Sequence, residues 1–206
     1  ASTVAAPAKK KIVECPSGPE VKTDDAALLA ELRRKLGKKP DEPVKMAELP
    51  NVRSLNLTSA TVNELEPCII PKLTGLKHLY LGKGELDDLA PIANLTQLET
   101  LRASINNVSD LKPLEKLTKM DRIFVNKTLV TDLSPLAGMT ELTELYIDDT
   151  QIADLSPLAK CTKMEKLSMK NTQVKDLRPL LGMKKLTVLT VTGSPVEDTH
   201  QLDPLV

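Results

Sequence analysis

Acidic residues recur at a nearly constant interval along the sequence, and a row of carboxylates is a candidate calcium site. The row contains Glu64, Asp88, Asp110, Asp132, Asp154, Asp176 and Asp198, with steps of 22 residues after a first step of 24. Calcium needs about six to eight converging oxygen ligands, which a row with one carboxylate per step does not supply. Each aspartate instead directly precedes a turn phrase such as LSPL, where a carboxylate can accept hydrogen bonds from free backbone N–H groups. The row therefore predicts backbone caps and no metal.

Histidine and cysteine are too few and too scattered for catalysis or metal binding. Nothing in register with His78 supplies a nucleophile with an oriented base, and no Cys-x-x-Cys pair or Cys–His cluster suggests zinc. We therefore predict no catalytic residue, no metal and no cofactor. Cys161 replaces a repeated Leu or Met and is expected to be buried. Cys15 and Cys68 are disulfide candidates that would fix the start of the chain to the first layer, with two free thiols as the alternative.

The composition excludes two classes of partner. The 206 residues contain 28 basic and 28 acidic side chains, so the chain has none of the basic surplus on which nucleic-acid affinity usually depends. No apolar run approaches the roughly 20 residues that a membrane-spanning helix needs. With no Trp, one Phe and two Tyr, the core must consist of aliphatic side chains, which favours many similar layers over one bulky centre.

A repeat of 22 residues explains the spacing of the acids. Each unit contains a phrase of the type L-x-x-L-x-L, as in LTELYIDDT at 141–149, and a first, longer unit begins with VRSLNLTSA at 52–60. The alternation L-x-L predicts a short strand with one buried face. Proline in the phrase that follows, as in DLSPL, is compatible with a 3₁₀ turn and not with a long helix. Since no unit can bury its own leucine face, the units must stack.

The repeats divide the chain into three predicted parts. Residues 1–22, rich in Ala, Pro, Lys and Ser, predict a disordered tail. Residues 23–48 predict a helical N-terminal cap, in which Thr23 or Asp24 caps an amphipathic helix and Gly37 ends it. Residues 49–206 contain seven leucine-rich repeats, the last of them degenerate. Either the final residues fold over the last strand edge or more protein follows.

Residues 49 to about 200 follow one repeat pattern, L-x-x-L-x-L-x-x-T-x-[VI]-x-D-L-x-P-L-x-x-[LM]-T. This pattern resembles the 22-residue leucine-rich repeats of the bacterial internalin family. The DLSPL phrases at 132–136 and 154–158 carry most of this resemblance. The units are similar, more loosely, to repeats of the regulatory subunits that sit on protein phosphatase 1. The resemblance implies an α/β solenoid: a right-handed superhelix with a concave parallel β-sheet, convex 3₁₀ turns and an N-terminal helical cap.

All three aromatic residues of the chain fall in one column of the predicted sheet. The central residue of L-x-L points away from the core onto the concave face. This central column contains Asn56, Tyr80, Arg102, Phe124, Tyr146, Ser168 and Thr190. A mere preference of rings for strands would also have placed rings in the core columns, where there are none. We therefore interpret the concave face as a binding face.

The columns beside the rings carry charge that alternates from layer to layer. Such a pattern suits a polypeptide partner, and Tyr and Arg are the residue types that most often dominate interface energetics. The predicted partner-binding residues are His78, Tyr80, Arg102, Arg122, Phe124, Glu144, Tyr146, Asp148, Lys166 and Lys170.

These patterns predict a non-catalytic protein–protein recognition module, monomeric, without nucleic-acid binding and without a membrane span. The resemblance to internalins implies a secreted, cell-surface or periplasmic bacterial protein, adhesin-like or effector-like, whose partner is a host or cell-surface protein. Two alternatives stay open. One is a cytoplasmic scaffold or regulatory subunit similar to the phosphatase-binding repeat proteins, and the other is the recognition part of a larger effector enzyme.

Overall fold

The structure is a computed structural model and describes residues 14–196 together with residues 198, 200 and 202. One helix, α1 (Ala26–Lys35), precedes a stack of coils that each contribute one strand. The strands are β1 (Ser54–Leu57), β2 (His78–Leu81), β3 (Thr100–Arg102), β4 (Arg122–Phe124), β5 (Glu144–Tyr146), β6 (Lys166–Ser168) and β7 (Val188–Thr190). The 3₁₀ turns are Met46–Asn51, Ile70–Lys72, Ala90–Ile92, Lys112–Leu114, Ser134–Leu136, Ser156–Lys160 and Arg178–Gly182.

The seven strands form one parallel sheet in chain order. Residues 22 positions apart pair across neighbouring strands, so that Leu101 faces Ile123, which in turn faces Leu145. These three side chains are fully buried, because the inward positions of L-x-L meet the same positions of the coils above and below. Helix, parallel sheet and 3₁₀ turns together confirm the predicted leucine-rich-repeat solenoid.

The acidic row caps the turns, as the sequence predicts. Each aspartate of the row accepts a hydrogen bond of 2.7–2.9 Å from the backbone N–H two residues further along the chain. These residues are Asp88, Asp110, Asp132, Asp154, Asp176 and Asp198. In the longer first unit the accepting side chain is Glu66, not Glu64. The hydrogen bonds from Arg178 lower the pKa of Asp176 to about 2. These carboxylates are therefore engaged with their own turns.

Helix α1 closes the N-terminal edge of the sheet. Its N-cap is Asp25, whose carboxylate accepts from Leu28 N at 2.9 Å, one residue beyond the predicted Asp24. Gly37, with φ +67°, follows the helix as predicted, since glycine adopts this backbone conformation without steric cost. The carboxylate of Glu31 accepts a hydrogen bond of 2.9 Å from Asn56 N, so the helix satisfies a backbone donor on the edge of β1.

The structure differs from the predicted disordered tail over residues 14–22; residues 1–13 lie outside the described residues. Cys15 and Cys68 form a disulfide, the first of the two alternatives that the sequence left open. Val21 is buried and donates its N–H to Val44 O at 2.7 Å, and Met46 N donates to Pro19 O at 2.8 Å. Composition predicts too little burial to order this segment, but the cross-link and the pairing with residues 44–46 hold it against the cap.

Candidate protein-binding face

The central column lies on one face of the sheet in the register that the repeat predicts. Tyr80 pairs with Arg102, Arg102 with Phe124, and Phe124 with Tyr146. Because adjacent strands are about 4.8 Å apart, rings in neighbouring positions can stack. The Phe124 and Tyr146 rings do so, with centroids 4.8 Å apart and planes inclined by 16°. Both side chains are half-buried, so their outer surfaces remain available to a partner.

Tyr80 and His78 form a second, looser ring pair on β2. Their centroids are 6.5 Å apart and their planes are inclined by 20°. His78 Nδ1 lies 3.2 Å from Thr100 Oγ1 on the next strand, which fixes the imidazole beside the tyrosine. This contact orients a ring and supplies no nucleophile, so the geometry matches a contact residue and not a catalytic base.

The two arginines among the predicted binding residues differ in their surroundings. Arg122 is exposed and pairs with its neighbour Asp121 at 3.2 Å. Arg102 lies between Tyr80 and Phe124 and is also exposed. Among the described residues, none forms an ion pair or a side-chain hydrogen bond with the Arg102 guanidinium. Arg102 is therefore the arginine whose charge a partner can use without breaking a contact.

The acidic residues beside the rings are held by hydrogen bonds within the protein. Glu144 accepts from Lys166 Nζ at 3.2 Å and from the Tyr146 hydroxyl at 3.5 Å. Asp148 accepts from Ser168 Oγ at 2.6 Å and from Lys170 N at 2.8 Å. The sequence places these charges in neighbouring layers but does not show that they bind each other. Of these two carboxylates, only Glu144 is paired with a cation, whereas Asp148 binds neutral donors and keeps its charge on the face.

The structure adds two residues to this face that sequence reasoning missed, Ile105 and Lys127. Both line an open cavity of about 450 Å³ whose other lining residues are Arg102, Ser104, Phe124, Asn126 and Tyr146. The available signal was an apolar residue in a column whose neighbouring members are polar or glycine: Lys83, Lys127, Asp149, Asn171 and Gly193. Ile105 is 49% exposed, which is unusual for a large aliphatic side chain in this protein.

No metal or reactive-thiol chemistry is apparent in the described part of the chain. Its His, Cys, Asp and Glu side chains form no group of three or more that could hold an ion. Cys161 is fully buried, as predicted, and burial raises the pKa of its thiol to about 11, so the thiolate is scarce at neutral pH. Over the same residues, no helix combines the length and apolar composition needed to cross a bilayer.

Comparison with known proteins agrees with this geometry. A family model described as leucine-rich repeats (2 copies) matches residues 140–181. The crystal structure of internalin C2 from Listeria monocytogenes is similar, with a TM-score of 0.70 and 26% identity over 87% of this chain and 89% of that one. The structure of the internalin inlF from the same organism gives a TM-score of 0.69 at 25% identity. That match covers 88% of this chain and 60% of inlF. Comparison with curated proteins gives no match.

The fold and the exposed sheet face define a leucine-rich-repeat solenoid of the kind that acts as a protein-interaction module. Within that class the chain is similar to the Listeria internalins, because its overall shape matches both of their structures.

Proposed function

We propose that this chain is a non-catalytic recognition module that binds a protein partner through the concave face of its sheet. The observation that carries the proposal is the stacked Phe124–Tyr146 pair, which stands with Tyr80 and Arg102 on an open face. Rigid aromatic side chains bury much apolar area at little entropic cost, and with arginine they dominate binding energy at interfaces. The binding residues are those predicted from the sequence, with His78 and Tyr80 at one side and Lys166 and Lys170 at the other.

We propose further that the protein is bacterial and works outside the cytoplasm, secreted or at the cell surface. The Cys15–Cys68 disulfide supports this location, because such bonds persist in oxidising compartments. Similarity to two Listeria internalins supports the bacterial assignment. Mass spectrometry of the protein from its native compartment tests the location. Fully reduced Cys15 and Cys68 would favour the cytoplasmic scaffold or regulatory subunit instead.

The binding face is tested with the double substitution Phe124→Ala and Tyr146→Ala. Partners captured from native extracts by the wild-type protein are quantified beside those captured by the variant. We expect a partner that the wild type captures to bind the double variant about 30-fold or more weakly, equivalent to about 2 kcal/mol for one hot-spot residue. Leu129→Ala is the matched control, since Leu129 is 58% exposed and does not line the cavity beside the rings. An intact double variant with undiminished partner affinity would show that the face is not the site.

A further inference from the structure

Ile105 has a backbone conformation that its residue type disfavours. Its φ is 59°, in the left-handed region, where a β-branched side chain is an outlier because Cβ crowds the following carbonyl oxygen. The corresponding residues of the next four coils, Lys127, Asp149, Asn171 and Gly193, also have positive φ. Ile105 N donates to Asn126 O at 2.8 Å, and Ile105 O accepts from Gly84 N at 3.1 Å. From the coil of Ile105 onward, the stacking of coils therefore imposes this conformation on the residue at this position.

Core packing does not account for isoleucine at this position. The side chain is 49% exposed, so much of its apolar surface remains in water. Asparagine and glycine, which tolerate positive φ, occupy the same position at Asn171 and Gly193. An exposed aliphatic residue in a strained backbone conformation therefore lowers stability, and strain of this kind collects at functional sites.

The surroundings of Ile105 combine apolar surface with unpaired positive charge. We use the name Ile105 surface for Lys83, Arg102, Ile105, Phe124, Lys127 and Tyr146. Ile105 lines the cavity that contains both rings, Arg102 and Lys127, and also the adjoining depression that contains Lys83 and Arg102. All three cationic side chains are exposed, and none forms an ion pair with a residue that the structure describes.

Three carboxylates beside the Ile105 surface accept hydrogen bonds from residues outside the cavity lining. Asp148 and Glu144 accept the hydrogen bonds given above, and Asp149 accepts from Asn171 Nδ2 at 2.7 Å. Glu85 lines a third depression together with Lys83 and Ile105. The residues that line the cavity and the adjoining depression include three cations and no carboxylate. The lining of these two concavities is therefore positive, although Asp148 and Asp149 keep their charge and the whole chain is neutral.

We propose that the Ile105 surface binds a polypeptide segment that presents a large apolar side chain next to a carboxylate. This inference rests on the proposed function and specifies the chemistry of the partner. The apolar side chain lies against Ile105 and the Phe124–Tyr146 pair, and the carboxylate pairs with Arg102, with Lys83 and Lys127 adding long-range attraction. A nucleic acid fits less well, because the Phe124 and Tyr146 rings stack on each other and the remaining apolar residue, Ile105, is aliphatic and offers no stacking platform for bases.

The probe is a phage library of random 12-residue peptides selected on the full chain. Enriched peptides are synthesised and titrated against the wild type and the variants Ile105→Asn, Arg102→Gln and Leu129→Asn. We expect enriched sequences to place Asp or Glu beside Leu, Ile, Met or Phe. Ile105→Asn should weaken binding about tenfold, equivalent to about 1.4 kcal/mol, and should raise Tm by about 2–4 °C, since asparagine relieves the backbone strain. Arg102→Gln should weaken binding and reduce its dependence on salt, whereas Leu129→Asn should leave it unchanged.

Several outcomes would overturn the inference while leaving the proposed function intact. One is that the enriched peptides are basic. Another is that they need Phe124 and Tyr146 but bind the Ile105→Asn variant as tightly as the wild type. A third is that Ile105→Asn lowers Tm. Tighter binding of a 12-nucleotide oligothymidine than of any enriched peptide would overturn the polypeptide assignment. Failure to enrich any peptide, or enriched peptides indifferent to Phe124→Ala with Tyr146→Ala, would also overturn this inference, whereas the capture experiment with native extracts decides the proposed function.

Discussion

At the N-terminal edge of the sheet β1 is covered by α1, whereas at the opposite edge β7 keeps much of its side-chain surface in water. Leu55 of β1 is fully buried, but Leu189 in the equivalent position of β7 is only half-buried and Val188 is 46% exposed. The N-terminal edge also has the Cys15–Cys68 disulfide and the hydrogen bond from Asn56 N to Glu31. The same repeat sequence thus gives different local burial, depending on what covers it.

The difference shows that neighbours, and not the repeat itself, determine how firmly a coil is held. In a solenoid each coil contacts only the adjacent ones, so a terminal coil loses half of its packing unless another element replaces it. Helix α1 replaces it at β1 with buried Leu28 and Leu32 and with the carboxylate of Glu31. The proposed binding face spans β2 to β6, between the two edges, where every strand has a neighbour on both sides.

The largest effect is expected from truncating one leucine at each edge. Leu32→Ala removes a fully buried side chain and should lower the free energy of unfolding by about 2–5 kcal/mol. Leu189→Ala removes a half-buried side chain and should cost about 1 kcal/mol, because less apolar area is lost. Urea denaturation followed by circular dichroism measures both. Equal losses of unfolding free energy for Leu32→Ala and Leu189→Ala would show that the two edges do not differ in how firmly they are packed.

A somewhat smaller effect is expected from removing the disulfide. Cys15 and Cys68 are 53 residues apart, and the loss of this cross-link should lower the free energy of unfolding by about 2–4 kcal/mol. The variant with Cys15→Ala and Cys68→Ala is unfolded in urea beside the wild type, with and without a reducing agent. The reducing agent should destabilise the wild type alone. An unchanged wild-type midpoint after full reduction would mean that the cross-link adds nothing to the N-terminal edge.

The smallest effect is an acid dependence of the N-terminal edge. Burial would raise the pKa of Glu31, but hydrogen bonds from Arg34 and from Asn56 N outweigh it and lower the pKa below its ordinary value of 4.5. A lowered folded-state pKa means that the unfolded chain binds the proton more readily. The resulting stabilisation is complete above about pH 4.5 and is lost as the pH falls through the folded-state pKa.

Glu31→Gln tests this dependence. Urea midpoints measured between pH 3 and pH 6 should vary less for Glu31→Gln than for the wild type. Asp154→Asn is the matched control, since Asp154 also accepts hydrogen bonds and has a lowered pKa but is exposed, where solvent screens its interactions. A pH profile of Glu31→Gln that coincides with that of the wild type would exclude Glu31 as the acid-sensitive contact at this edge.

The sequence was sufficient for the fold because one short pattern recurs with a constant period. Alternating leucines predict the strands, and proline in the phrase after each strand predicts the 3₁₀ turns. The row of aspartates predicts the caps of these turns, and the structure confirms them. The N-cap of α1 was predicted less well, since it is Asp25 and not Thr23 or Asp24. Ordering of residues 14–22 escaped prediction, because it depends on pairing with residues 44–46 and on a cross-link to residue 68, not on local composition.

The sequence by itself determined which side chains are neighbours on the sheet. With coils of constant length, residues 22 positions apart must lie side by side, so Phe124 beside Tyr146 followed from counting. Only the tertiary structure decided how long side chains use that proximity: Lys166 pairs with Glu144, and Arg122 pairs with Asp121. No carboxylate that the structure describes pairs with Arg102. The period fixes backbone register, whereas rotamers and the left-handed conformation of Ile105 follow from contacts and hydrogen bonds between coils, which no residue pattern records.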